Sequence, residues 1–133
     1  MTQEDKELLI KDLSARLPYG VKCYDEAQRE VGVFKHFEYD GFGRIHNGRG
    51  VRFIENIKPY LFPMSSMTEE QKEEYQYIVN YISPDDTENW TEGEFIYVNQ
   101  IEQLLHFYHK SHLDYRNLIG KGLALDATGL NIY

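Results

Sequence analysis

Three histidines, His106, His109 and His112, recur at three-residue intervals, a spacing that raises metal ligation along a helix. Turning about 100° per residue from Ile101 places His112 near roughly 20°, His109 near roughly 80° and His106 near roughly 140°. Leu104, Leu105 and Tyr108 mark the buried face around 0°, so His112 is expected to pack inward and His106 to face solvent. No single ion sees all three. Zinc sites usually draw on i, i+4 pairs or closed Cys/His sets, and no cysteine lies nearby. A two-ligand site from His109 and His112 with a carboxylate such as Asp114 stays open, against the plainer reading of a polar helix end with favourable dipole contacts.

The second concentration of chemistry is the run GRIHNGRGVR at 43–52, which brings together Arg44, His46, Arg49 and Arg52. Arginine forks match oxyanions, so this hairpin is a candidate for binding a phosphate, a nucleic-acid backbone or an acidic protein surface. The competing reading is a solvated hairpin whose arginines pair with Glu38, Asp40 or Glu55. Glu69, Glu70, Glu73 and Glu74 sit where a helix starts, and there anionic side chains are stabilised and hydrated without any catalytic role. The pairs Gly41/Gly43 and Gly48/Gly50 lack the later glycine and the strand-to-helix context of a nucleotide loop. Ser65 and Ser66 have no nucleophile-elbow context. No catalytic set emerges, nothing calls for a cofactor, and the expectation is a protein that is not an enzyme.

The elements that must carry these residues follow from periodicity. Thr2 caps a helix over about 3–17 with Leu9, Leu13 and Leu17 at helical spacing, and Pro18 and Gly20 end it. Short runs rich in Val, Ile, Phe and Tyr, punctuated by Asp40-Gly41 and Asn47-Gly48, predict strands near about 21–25, 31–38, 42–46 and 51–55. They form an antiparallel meander, with closure into a small SH3-like barrel as one outcome. Pro59 and Pro63 bracket a non-regular segment at 60–62. Thr68 and Gln71 form a capping box for a helix over about 69–82. A polar loop at 85–93 carries Trp90, then come a short strand at 95–98 and a third helix over about 100–112 with Ile101, Leu104, Leu105 and Tyr108 buried. Asp114 caps one further turn through Leu118 and Ile119, before an extended piece at 123–125. Helix, strands, helix, strand, helix is an α+β order.

The 133 residues suit one domain. The balance of 14 Lys and Arg against 22 Asp and Glu, net −8, excludes a uniformly basic nucleic-acid binder. That charge is uneven. Residues 1–63 hold 10 basic and 10 acidic side chains, whereas residues 64–133 hold 4 and 12. The lone Cys23 reads as a buried, inert thiol in a strand. With no secretion signal and no apolar run near the ~20 residues a membrane helix needs, a cytoplasmic protein without membrane contact is expected.

Three segments carry a resemblance: 1–22 (MTQEDKELLIKDLSARLPYGVK), 57–75 (IKPYLFPMSSMTEEQKEEY) and 114–127 (DYRNLIGKGLALDA). Together they resemble a family of small uncharacterised proteins of gut bacteria and their phages or mobile elements. The resemblance covers under half the chain and carries over no catalytic residue; it implies a small cytosolic accessory protein, phage-linked in origin. The residues themselves point to a protein-interaction domain. Its acidic helical half, rich in the chain's 11 tyrosines, would meet a protein partner, and exposed aromatic helices would also suit a dimer. The alternative is nucleic-acid or phosphate-ligand binding through the hairpin of Arg44, His46, Arg49 and Arg52.

Overall fold

A computed structural model describes the backbone of residues 1–39, 42–45, 52–80 and 90–133, and the side chains of 1–37, 53–80 and 99–133. Helix α1 spans Gln3–Arg16, and the Thr2 hydroxyl accepts from the Asp5 amide at 3.1 Å to cap it. A 3₁₀ turn at Leu17–Tyr19 follows, and Gly20 ends it in the left-handed region at φ 67°, which a residue without Cβ enters freely. The expected meander is present as β1 (Lys22–Asp25), β2 (Glu30–Tyr39), β3 (Phe42–Ile45) and β4 (Arg52–Phe53). At the first hairpin the Asp25 carboxylate accepts from the Ala27 amide at 2.9 Å, an Asx turn that leaves Arg29 at φ 59°.

Several expectations are corrected here. The segment around Pro59 is not irregular but strand β5 (Ile57–Leu61), antiparallel to β1, with Pro59 opposite Cys23. A two-residue strand, β6 (Leu125–Asp126), pairs parallel with Tyr60 and Leu61 only. Pro59 therefore lies at an edge position, where a missing N–H is tolerated. The sheet runs β4-β3-β2-β1-β5-β6 and is open and mixed among the described residues, so the barrel does not form. The fourth strand is shorter than expected, because a 3₁₀ turn at Ile54–Asn56 interrupts the extended run.

Helix α2 (Glu69–Asn80) carries the reciprocal capping box: the Thr68 amide donates to Gln71 Oε1 at 2.9 Å and the Gln71 amide to Thr68 Oγ1 at 3.1 Å. Helix α3 spans Trp90–Lys110. The strand expected at 95–98 is thus helical backbone, and Trp90 begins a helix rather than sitting in a loop. A four-residue apolar run has no periodicity of its own to tell strand from helix, and its C-terminal continuation decided the matter. The buried stripe also differs. Phe107 and His109 are buried, while Ile101 is 46% exposed. His112 lies beyond the helix at φ 54°.

Two hydrophobic clusters result. One joins Leu9 and Leu13 of α1 to Cys23, Phe34, Ile57 and Leu61 of the sheet and to Leu118 and Leu123. The other holds Ile78, Phe107 and Leu113, with Phe62, Tyr75, Leu104 and Tyr108 packed against it. Glu74 meets Lys110, and Gln100 reaches the carbonyls of Ile78 and Val79 at 3.0 Å. Such pairings require α2 and α3 to run antiparallel. A bridge between Phe62 and Leu113 ties this helical lobe to the end of β5.

Candidate functional site

Among the described residues, the densest group of chemistry-bearing side chains lies where the two clusters meet. On α1, Leu9, Asp12, Leu13 and Arg16 share the inward face at i, i+3, i+4, i+7, all buried. Arg16 Nε donates to Asp12 Oδ2 at 2.7 Å, and its Nη2 donates to the Leu113 carbonyl at 2.6 Å, across 97 residues of chain. Arg116 Nε stands 3.2 Å from the other Asp12 oxygen. Both guanidinium groups lie over the Tyr115 ring, at 5.3 Å for Arg16 and 4.9 Å for Arg116. Tyr115 also stacks on Tyr108 with centroids 4.8 Å apart.

The histidines close this group from the other side. His109 Nε2 is 2.7 Å from the Tyr115 hydroxyl, to which Arg116 Nη2 donates at 3.2 Å. Burial, then Arg16 and Arg116, push the His109 pKa down to about 4. The ring is therefore neutral at pH 7. His112 stacks on Tyr133 with centroids 3.7 Å apart, and burial, then Arg16 and Lys22, push it down to about 4 as well. His106 is exposed, its Nδ1 2.7 Å from the Tyr19 hydroxyl. Arg16 Nη1 and His112 Nδ1 are buried without a hydrogen-bond partner among the described residues.

The metal alternative finds little here. His109 is engaged with Tyr115, and the Asp114 carboxylate accepts from the amides of Leu118 at 2.8 Å and Ile119 at 2.9 Å. The latter is the capping role read from the sequence. Among the described residues no three His, Cys, Asp or Glu side chains group as ligands. Cys23 is fully buried, and burial raises its thiol pKa and so disfavours the reactive thiolate. Sequence reasoning missed Asp12 and Arg16 as site residues. Their signal was present: an i, i+4 ion pair interleaved with the leucine stripe.

Of the arginine hairpin, His46 and Arg49 lie outside the described residues, as do the side chains of Arg44 and Arg52. The backbone register sets Arg44 opposite His36 and Arg52 opposite Gly43, so the two arginines are offset by one position in their ladder.

What the helical lobe offers is surface. On α2 only Ile78 is buried. Glu69, Glu70, Glu73 and Glu74 are exposed. Tyr77 is 61% and Val79 37% exposed. An open groove of about 570 Å³ runs along Lys72, Glu73, Gln76, Tyr77 and Asn80. The Gln100 bonds bring Ile101 to the same end of the lobe as Val79. No helix among the described residues is long and apolar enough to cross a membrane. Comparison with known proteins adds no relative: no family model, curated protein or solved structure matches this chain.

Proposed function

We propose that this chain is a non-enzymatic accessory domain of the cytoplasm whose α2 face docks a basic protein partner. One observation carries the reading: α2 buries a single described side chain, Ile78, while presenting Tyr77 at 61% exposure with the exposed Glu70, Glu73 and Glu74 at i−7, i−4 and i−3 on the same helical side. Aromatic and aliphatic side chains surrounded by charge form the anatomy of a binding patch, where the apolar centre supplies affinity and the rim steers the approach. Excess negative charge on residues 64–133 selects a partner of opposite sign. The inward-facing arginine cluster fits this role as a brace that holds the helical lobe against the sheet. The phage or mobile-element link rests on the three resembling segments alone.

A photo-crosslinker at Gln76 tests the reading in the native host. The expected product is one protein with a basic contact surface, lost from Tyr77→Ala and from Glu73→Lys. Capture that survives both substitutions, or turnover of a small molecule by the purified protein, overturns it.

A further inference from the structure

The sheet has two faces, and the register assigns them. Residues directly opposite in an antiparallel ladder share a face, and alternate residues of a strand do too. Lys22 pairs with Val33, and Tyr24 pairs with both Val31 and Lys58. Lys22, Tyr24, Val31, Val33 and Lys58 therefore occupy one face together. The opposite face holds Cys23, Phe34 and Ile57, all buried beneath Leu9 and Leu13 of α1. On the first face Val31 is 49% exposed, and Tyr24, Val33 and Lys58 are only part-buried. Lys22 marks its boundary, since its Nζ donates to the Ile132 carbonyl at 2.5 Å, where Tyr133 folds over the end of β5.

Charge distinguishes this face from the helical lobe. Lys22 and Lys58 belong to it, Lys35 is exposed further along β2, and Arg29 is exposed at the hairpin turn. Against these four cations stand Glu26, 3.1 Å from Lys58, and Glu30 at the end of the hairpin. Lys22 and Lys58 thus flank the Tyr24 ring in the ladder, with Lys35 and Arg29 further along the same strand and turn, and these cations outnumber the nearby acids on a protein whose net charge is −8. A ring on a rigid strand, with aliphatic neighbours on one side and an ammonium on the other, can stack an unpaired base while lysines meet the phosphates beside it.

We propose that this β1-β2-β5 face binds single-stranded nucleic acid, Tyr24 stacking a base and Lys58, Lys35 and Arg29 tracking the backbone. It is a site separate from the α2 face and stands whether or not that face docks a protein.

Fluorescence anisotropy with a labelled oligothymidylate at low salt tests it on the full chain. The expected results are binding that weakens with salt, a loss of about tenfold in affinity for Tyr24→Ala, and retention of binding by Tyr24→Phe, which keeps the ring. Lys58→Ala should lower the salt slope by about 0.7. The proposal is overturned by absence of binding in low salt, by equal affinity for duplex, or by equal loss in Tyr24→Phe and Tyr24→Ala. It also fails if the face crosslinks a protein and no oligonucleotide.

Discussion

The sheet lobe and the helical lobe solve the burial problem differently. In the first, α1 lays Leu9 and Leu13 across one side of a six-stranded sheet, and eleven buried residues form one continuous cluster among the described residues. In the second, the buried side chains among the described residues are Ile78, Phe107 and Leu113, with part-buried aromatics such as Tyr75 and Tyr108 packed against them. Burial of Tyr108, and after it the neighbouring Tyr75, raise the Tyr108 pKa to about 12, so that phenol stays neutral while filling the core. A sheet covered by a helix can be stable on its own side, and the helical lobe packs against that neighbour. The neighbour is reached through a polar seam, Asp12, Arg16, Tyr115, Arg116 and His109, and through the apolar contact of Phe62 with the helical cluster. A lobe held this way keeps its outer face available.

If the seam couples the lobes, breaking it should produce the largest effect. Arg16→Ala leaves Asp12 buried with only Arg116 nearby and removes the bond to the Leu113 carbonyl. The expected loss is about 3–5 kcal/mol in urea unfolding, and hydrogen exchange should show the helical lobe losing protection first. Replacing Asp12 and Arg16 together with apolar residues should recover most of the stability, which separates the cost of an unpaired charge from any need for the pair itself.

Acid should act at the same place with a smaller effect per group. The folded pKa of His109 and of His112 is about 4, below the roughly 6.5 of an unfolded histidine. The unfolded chain binds more protons between these values, so stability is full above about pH 6.5 and is lost as pH falls toward 4. Each histidine contributes on the order of 2–3 kcal/mol over that window. His109→Gln, by removing one titration, should flatten the unfolding profile between pH 6.5 and 4; an unchanged slope would falsify this assignment.

The smallest effect belongs to the helical lobe alone. Thr68→Ala removes one half of the capping box, with an expected cost of about 1 kcal/mol. Because the seam is untouched, fraying should be confined to the start of α2 in hydrogen exchange, with the sheet amides unchanged.

Most of the local structure was legible in the residues. The Thr2 and Thr68 caps, the end of α1, the first hairpin and the capping role of Asp114 all depend on groups within five positions of one another, and short-range chemistry is written in order along the chain. What was missed involves partners far apart. Pro59 lies in a strand because its neighbours are Cys23 on one side and a β6 that stops short of it. The 95–98 run is helical because it belongs to a longer helix. Arg16 reads as an ordinary helix-end charge until Leu113, 97 residues away, supplies its acceptor.

The arginine hairpin drew attention because four candidates fall within ten residues, and proximity in sequence is easy to see. The face around Tyr24 escaped notice because its members come from three strands. Lys58 and Val31 meet Tyr24 only through register, and no spacing in the chain announces it.

An α+β protein with caps at defined positions and a net negative charge carried by its second half could be read from the residues alone. Each of these depends on residue type and on neighbours a turn or a hairpin away. That the sheet is open and mixed among the described residues, that Asp12 and Arg16 are buried together, and that cationic side chains lie near His109 and His112 emerged only in three dimensions. Those outcomes rest on long-range packing, where desolvation and register set which groups meet, and neither quantity can be read from spacing along one strand of the chain.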